Sequence, residues 1–578
     1  MSKIIRVDMT TKKISEEAVA EKYQHMGGRQ ITTQMIFDEV PPLCHPLGPN
    51  NKIVIAPGMV TGTASPSSGR LSVGGKSPLT GGIKEANAGT PFAQKMGRLG
   101  IKALVLEGRC MENTWMLKIT KDGAELLPAE HLKGKGMYET ADILYKDYPN
   151  GKHAIMGVGP AGEMKMAMAG VAFSDTEGRP SRYSGRGGLG AVIGSKGLKA
   201  IVIDDTDAQG TEIVDLELFK TGRAKLTEAI RAHDLTKKDG ALNTYGTAVL
   251  INLLNEAGGL PTNNFRSGVF EGASKISGEM IHQRVQERNA GMTGHGCHPG
   301  CIIRCSNVYP NADGTELVSC IEYESAWSLG ANCGIDDLDV VGKLIHQCND
   351  IGVDTIEAGV AIGVAMDAGV KKFGDGAGAI ELMEEIRKGT PMGRILGNGA
   401  EFTGKAYGMT RIPTVKGQGM PAYEPRAVKG IAVTYATSPM GADHTAGYTI
   451  APEIAGVGGK ADPLSVEGKI DMSRTFQYVT GFVDASGYCL FIAFPIIDFP
   501  AGMEGMVESV NGVMGTKYTV EDVAKVGKEI VDLENEFNRR AGISKEHHMI
   551  PEFMRYEKLP PHNVVFDIPD EELQKIFD

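Results

Sequence analysis

The sequence predicts an α+β protein in which a β-rich N-terminal base domain is followed by two mainly helical domains. Short alternating or β-branched segments, bounded by Gly, Pro, Asn or Asp, are frequent before Asp207. After Asp207 apolar residues recur at spacings of three and four, which indicates amphipathic helices. At about 100–200 residues per domain, these changes predict domains at 1–207, 208–410 and 411–578.

Four segments of the first domain predict strands: Ile53–Pro57, Ala103–Glu107, Trp115–Thr120 and Ala200–Asp204. Glycine-rich loops separate them. Glycine makes up 76 of the 578 residues without a collagen-like period. This predicts many tight turns and places where the backbone comes close to another group.

Three later segments predict helices. Glu217–His233 and Asp336–Asp350 have helical spacing, and Asp336 is placed to cap the second. Near the end of the chain, Thr519 and Asp522 resemble a capping box, and Gly542 ends the apolar pattern that follows.

The composition excludes several functional classes. The net charge is 60 − 71 = −11 and aromatics are 6%, so a nucleic-acid-binding surface is not expected. The N-terminus lacks a signal-peptide pattern and no apolar stretch reaches the ~20 residues of a membrane span, so we expect a cytoplasmic protein. Nine cysteines, partly clustered, indicate free thiols or metal ligands.

Cys297, Cys301 and Cys305 form a C-x3-C-x3-C pattern that keeps three sulfurs on one loop. Such spacing favours one iron–sulfur cluster, which needs a fourth and often distant thiolate. Cys489, at the end of a turn-like segment, is the candidate fourth ligand. Zinc and buried free cysteine are the alternatives, but structural zinc sites usually show two matched cysteine pairs.

Bare glycine backbone lies beside arginine in two loops. Gly185–Lys196 contains a G-x-G-x-x-G pattern, but no strand signal leads into it, so a dinucleotide site is not predicted. Together with Arg182 and Arg186, this loop suits an anionic group, while the alternative is a tight strand connection. Ser67–Arg70, followed by Asn87–Gly89, forms a second such loop.

These features together resemble the aldehyde:ferredoxin oxidoreductase family of tungsten enzymes with a bis-pterin cofactor of the molybdopterin type. The resemblance covers nearly the whole chain. It rests on these motifs: Gly58–Arg70, Lys76–Gly81, Gly157–Glu163, Gly185–Lys199, Tyr323–Gly334, Gly441–Thr445 and Leu533–Arg540.

The resemblance implies a set of cofactor-binding residues. Pterin- and phosphate-holding positions, with a magnesium ion between the phosphates as an option, are Arg70, Asn87, Gly89, Arg182, Gly185 and Arg186. The family's D-x-x-G-L-C/D pterin motif is similar to two segments here, which supply Asn349, Val353, Asp354, Asp484 and Tyr488.

The sequence departs from the family at three points. Asn349 replaces the first acid of one pterin motif. The usual cysteine spacing is C-x2-C-x3-C, and here His298 occupies the expected first position, so we favour Cys297 as the ligand. At the positions of the family's E-x-x-H iron site this sequence has Lys343 and His346. Because lysine replaces the glutamate, that iron is not expected.

By the same resemblance, Glu324 is the base that activates water or a hydrated aldehyde, and His444 is the hydrogen-bond donor to the carbonyl. The implied activity is reversible oxidation of an aldehyde to a carboxylic acid. Electrons leave through one 4Fe-4S cluster to a ferredoxin or a ferredoxin-like small subunit. Tungsten against molybdenum, and a homo- or hetero-oligomer, stay open.

Two other functions compete. Within the family, the chain could be a low-potential reductase of an aromatic acyl thioester, which substrate assays distinguish. Outside it, the chain could be a non-catalytic iron–sulfur electron carrier, and elemental analysis decides that alternative.

Overall fold

The computed structural model describes residues 2–578. Its N-terminal part contains two six-stranded sheets. The first is ordered β2-β1-β6-β3-β4-β5, and only its β1–β6 pair is parallel. Its strands are β1 Lys3–Asp8, β2 Lys13–Ala18, β3 Ile53–Pro57, β4 Arg70–Lys76, β5 Ile83–Gly89 and β6 Ile101–Glu107.

The second sheet is ordered β11-β10-β9-β12-β7-β8, and only its β7–β12 pair is parallel. Its strands are β7 Trp115–Thr120, β8 Gly123–Pro128, β9 His153–Gly157, β10 Val171–Phe173, β11 Arg182–Ser184 and β12 Leu198–Asp204. Residues from both sheets, such as Ile55 and Leu104 in the first and Met156 and Ile201 in the second, share one apolar core. The two sheets are therefore packed face to face.

Five helices accompany the sheets: α1 Gly28–Glu39, α2 Pro91–Arg98, α3 Met137–Asp147, α4 Pro160–Glu163 and α5 Leu189–Ser195. The rest of the chain is mainly helical. Its helices are α6 Leu216–Ala232, α7 Ala241–Tyr245, α8 Leu250–Glu256, α9 Gly278–Glu287, α10 Tyr323–Leu329, α11 Leu338–Ile351, α12 Thr355–Asp367, α13 Gly376–Lys388, α14 Pro391–Gly397, α15 Ala400–Ala406, α16 Lys429–Thr437, α17 Lys469–Ser486, α18 Ala493–Asp498, α19 Pro500–Met514, α20 Val520–Arg540 and α21 Asp570–Gln574.

Short strands punctuate the helical part: β13 Met292–His295, β14 Ser306–Pro310, β15 Glu316–Val318, β16 Thr414–Val415 and β17 Gln418–Gly419. One apolar core runs through the helical part from α6 to the C-terminal residues. This architecture confirms the predicted α+β class, with a β-rich base followed by mainly helical structure. Across residues 2–578, no helix combines the length and the apolarity that crossing a bilayer requires.

The C-terminal helix has the predicted signals. α20 begins after Thr519, which forms a capping box with Asp522, and Gly542 follows its end with φ of +91°. The apolar positions Val526 and Ile530 are buried because they recur on one face of the helix.

Two local predictions are wrong. Asp337, not Asp336, caps α11, because its carboxylate accepts the N–H groups of residues 339 and 340 while Asp336 pairs with Lys275. The second wrong prediction is that no strand leads into the glycine loop. The loop at 185–188 lies between the strand β11 and the helix α5. β11 has three residues and pairs antiparallel at the sheet edge, so the arrangement is still not a dinucleotide-binding βαβ unit.

Candidate active site

A cavity of about 380 Å³ lies where β4, β5 and the loop after β11 meet the helical part. It collects the predicted site residues from distant parts of the sequence. Those that line it are Arg70, Asn87, Gly89, Arg182, Gly185, Arg186, Cys297, Cys301, Cys305, Glu324, Asn349, Val353, Asp354, His444, Asp484 and Cys489. Tyr488 is absent from this wall. Its side chain is buried elsewhere, with the hydroxyl oxygen 2.5 Å from Ser65 Oγ.

Two loops bring the four cysteines to the cavity. Three lie between β13 and β14, and Cys489 follows α17 after a left-handed turn at Gly487, whose φ is +89°. Ser67 connects the loops. Its N–H donates to Gly300 O at 3.0 Å, and its carbonyl accepts the Cys489 N–H at 2.9 Å. All four predicted ligands thus line one cavity, and four thiolates are the usual ligand set of iron–sulfur clusters.

His298 lies beside the cysteines, and its ring has a nitrogen within 4.8 Å of the sulfurs of Cys297 and Cys301. Its ring is 2% exposed, its Nδ1–H donates to Pro299 O at 2.8 Å, and its Nε2 accepts the Gly69 N–H at 3.3 Å. Both ring nitrogens are therefore engaged. Cys297 Sγ instead faces Gly89, where an added Cβ would lie only 2.9 Å from the sulfur. Because both ring nitrogens of His298 are engaged, Cys297 stays the predicted ligand.

Cys320 is a site residue that the sequence did not reveal. It lies on the cavity wall, 3.5 Å from Arg182 Nη1 and 3.0 Å from Glu322 Oε1. No local pattern distinguishes it, because its neighbours in space come from other segments.

The three predicted phosphate-binding arginines differ in how many hydrogen bonds and ion pairs they already make with other residues of the protein. Arg70 donates from Nε to Asn87 Oδ1 and has no ion pair among residues 2–578. Arg182 donates to Ser306 Oγ at 2.8 Å, but its buried Nε has no hydrogen-bond partner within residues 2–578. Arg186 is the most occupied, since it pairs with Asp354 at 3.3 Å and donates to the carbonyls of residues 419 and 442.

The two predicted pterin motifs also differ. Asp484 lies 3.3 Å from Arg29 Nη1, and burial raises the pKa of its carboxyl group. In the other motif, Asn349 Nδ2 donates to Ser319 O at 3.4 Å, and Asp354 caps α12 by accepting two backbone N–H groups. Asp484 therefore retains more accepting capacity toward a ligand than Asp354 does.

Glu324 and His444 converge from α10 and from the turn after Asp443. His444 Nε2 lies 3.4 Å from Glu324 Oε1 without forming a hydrogen bond to it. Within residues 2–578, neither Glu324 Oε1 nor His444 Nδ1 has a hydrogen-bond partner. Glu324 Oε2 accepts the Ala422 N–H at 3.0 Å, and Asp443 is paired with Lys84 at 2.8 Å. The carboxyl group is thus anchored on one oxygen and free on the other.

Burial shifts the pKa values of Glu324 and His444 in opposite directions. It raises the pKa of Glu324 to about 8 and lowers the pKa of His444 to about 4, because both charged forms lose solvation. At neutral pH the imidazole is therefore neutral and carries one N–H. A carboxyl group with a pKa near the working pH suits general base catalysis.

Comparison with known proteins identifies the family. A model described as "Aldehyde ferredoxin oxidoreductase, N-terminal domain" matches residues 4–205, and one described as "Aldehyde ferredoxin oxidoreductase, domains 2 & 3" matches residues 222–577. The chain belongs to the aldehyde ferredoxin oxidoreductase family, as its motifs predicted. It is therefore an oxidoreductase-family protein.

Among its relatives, the chain is 35% identical to the tungsten-containing aldehyde ferredoxin oxidoreductase of Pyrococcus furiosus, over 94% of this chain and 89% of that protein. It is also 35% identical to the Thermococcus kodakarensis protein of that name, with the same coverage. A solved structure of the active site complex BamBC of benzoyl coenzyme A reductase, with 1,5-dienoyl-CoA, shares the fold. The TM-score is 0.78 at 18% identity, over 100% of this chain and 93% of that one.

Proposed function

We propose that the protein oxidises aldehydes to carboxylic acids, reversibly, at a tungsten bis-pterin site, and passes electrons through one 4Fe-4S cluster to a ferredoxin or ferredoxin-like subunit. The observation that carries this proposal is one cavity whose wall includes the four predicted cluster cysteines and the Glu324–His444 pair. The 35% identity to tungsten-containing relatives supports it. Nine free thiols agree with a reducing cytoplasm as the location.

The residues fit these cofactors. Four thiols suit a 4Fe-4S cluster. The Arg182 Nε and Glu324 Oε1 atoms, which lack hydrogen bonds within residues 2–578, leave polar groups for a bound ligand to satisfy. Arg70 would hold a phosphate, and Asp484 would accept a pterin N–H. When bound, the tungsten cofactor would accept an electron pair from the substrate, and the iron–sulfur cluster would pass the electrons on one at a time.

The chain's own side chains then divide the proton chemistry. An aldehyde and water yield a carboxylic acid, two protons and two electrons, so one group must remove a proton from water or from the hydrated aldehyde. Glu324, when ionised, does this through its free Oε1. His444, neutral at pH 7, donates its N–H to the substrate oxygen and stabilises the charge that develops there.

Protein purified without oxygen after growth with tungstate tests the function. We expect tungsten, pterin, about four irons per chain and aldehyde oxidation with ferredoxin, but little NAD reduction by this chain alone. Reduction of an aromatic acyl thioester without aldehyde oxidation would select the second candidate. That candidate is retained because the BamBC structure shares the fold over the whole chain. Iron without tungsten or pterin would instead identify an electron carrier.

Arg70 offers a sharper test of the pterin site. It has no carboxylate partner within residues 2–578, so its charge is available to a phosphate. Arg70→Ala should lose pterin and tungsten together, and roughly 1.5–3 kcal/mol of charged hydrogen bonding corresponds to about 10- to 150-fold weaker retention. The exposed Arg223→Ala serves as control, and pterin is measured per folded chain. Full pterin content in Arg70→Ala would show that this loop is only structural.

A further inference from the structure

Glu85 is a buried acid on the cavity wall that the activity proposed above does not use. It lies on β5, its side chain lines the cavity, and the residue is 7% exposed. Its Oε1 atom has no hydrogen-bond partner among residues 2–578. A buried polar atom without a partner costs stability unless a ligand supplies the missing hydrogen bond.

The charged neighbours of Glu85 are already committed to other groups. Arg29 on α1 donates to both carboxylate oxygens of Glu534 on α20, at 2.9 and 2.7 Å, and lies 3.3 Å from Asp484 on α17. Lys84, the preceding residue of β5, pairs with Asp443 at 2.8 Å. Glu85 therefore has no basic side chain that forms an ion pair with it alone.

Asp484 is the second acid at this point of the cavity. Burial raises the pKa of Glu85, and the nearby charge of Asp484 raises it further. Arg29, the Ser72 hydroxyl and Lys84 act in the opposite direction, and the pKa remains raised, to about 8. Two buried carboxyl groups that repel each other titrate as a pair and retain a proton that isolated carboxyl groups would lose. Of the two, Asp484 has the direct contact with Arg29 and so keeps the negative charge.

We propose that Glu85 is a positioning residue for the pterin held at Asp484, and that it acts as a neutral carboxylic acid that donates a hydrogen bond to the ring. This inference rests on the proposed function. A pterin ring presents both hydrogen-bond donors and acceptors. An ionised Asp484 can only accept, so the donor that the ring acceptors need comes from the protonated Glu85.

Two substitutions of Glu85 separate this role from a structural one. Gln is close in shape to a neutral carboxyl group and keeps a donor, whereas Leu removes every polar atom. Glu508→Leu is the matched control, because Glu508 also has a buried unpartnered oxygen but lies on α19, away from the cavity. Holoenzyme is diluted without oxygen, and the pterin that remains bound is followed over time as its fluorescent oxidised form.

We expect Glu85→Leu to release pterin about three- to tenfold faster than the wild type, the effect of one neutral hydrogen bond. Glu85→Gln and Glu508→Leu should stay within about twofold. In the wild type, release should accelerate as the pH rises and Glu85 ionises, while Glu85→Gln should lack this acceleration. The wild-type and Gln comparison decides the question even where the Leu variant fails to fold.

Four results overturn the inference. Wild-type retention in Glu85→Leu would show that Glu85 makes no contact with pterin. Equal losses in the Gln and Leu variants, or pH-independent release from the wild type, would show that no neutral acid is involved. Wild-type protein that never contains pterin would overturn the proposed function as well, whereas the first three results leave the proposed function intact.

Discussion

Glu324→Gln is expected to lower kcat/KM for aldehyde oxidation by about 10²–10⁴-fold, the usual contribution of a general base. The amide keeps the size of the side chain and can still accept the Ala422 N–H, but it cannot take a proton. His444→Asn should cause a loss of similar size, because it removes the imidazole that faces Glu324. The measurement is steady-state oxidation of one aldehyde with ferredoxin, normalised to bound tungsten.

The pH dependence of kcat/KM is expected to follow the ionisation of Glu324. Glu324 must be ionised to act, and its pKa is raised to about 8. Below pH 8 the carboxyl group is protonated, so log kcat/KM should rise by about one unit per pH unit and level off above that pH. Glu324→Gln should lack this ascending limb. The neutral His444, with a pKa near 4, should add no limb between pH 6 and 8.

Metal content is the control for both variants. Tungsten, pterin and iron should remain at wild-type levels, because neither side chain contacts a cysteine or a predicted phosphate-binding arginine by hydrogen bond. Loss of activity together with tungsten would mean that the pair is structural. Near-wild-type turnover of Glu324→Gln with full metal content would show that another group activates water.

Local sequence signals predicted the elements whose causes are local. β3 and β7 coincide residue for residue with the segments predicted, because each is a short apolar or alternating run with a turn at both ends. The capping box at Thr519 is equally local. The cap of α11 was misplaced because Asp336 and Asp337 are adjacent, and only the geometry of the preceding turn selects between them.

The convergence of the site required the resemblance to the family. Nothing between residues 324 and 444 indicates that Glu324 and His444 meet at 3.4 Å. Cys320 and Glu85 were missed for a different reason. Each is ordinary in its own segment, and its position on the cavity wall depends on contacts with distant parts of the chain. Spacing predicts which residues share a loop, but not which loops face one another.

Cys489→Ala should cost the protein most of its cluster. Cys489 is 8% exposed, lines the cavity with the three clustered cysteines, and is the only one of the four that comes from a separate loop. Its backbone is fixed by Ser67, whose hydroxyl oxygen also accepts the Ile302 N–H at 3.4 Å. Ser67 therefore ties the backbone of Cys489 to the loop that carries the other three cysteines.

Removing this thiolate would leave the proposed 4Fe-4S cluster one ligand short. We expect iron to fall well below the roughly four atoms per chain of the wild type, with loss of the visible charge-transfer absorption and of the low-potential electron paramagnetic resonance signal of the reduced cluster. Electron transfer to ferredoxin should fall with the iron. Cys110→Ala, a half-buried free thiol outside the cavity, is the matched control and should keep both iron and spectrum. Full iron and an unchanged spectrum in Cys489→Ala would exclude Cys489 as a ligand, and Cys320, the remaining thiol on the cavity wall, would then be the residue to replace.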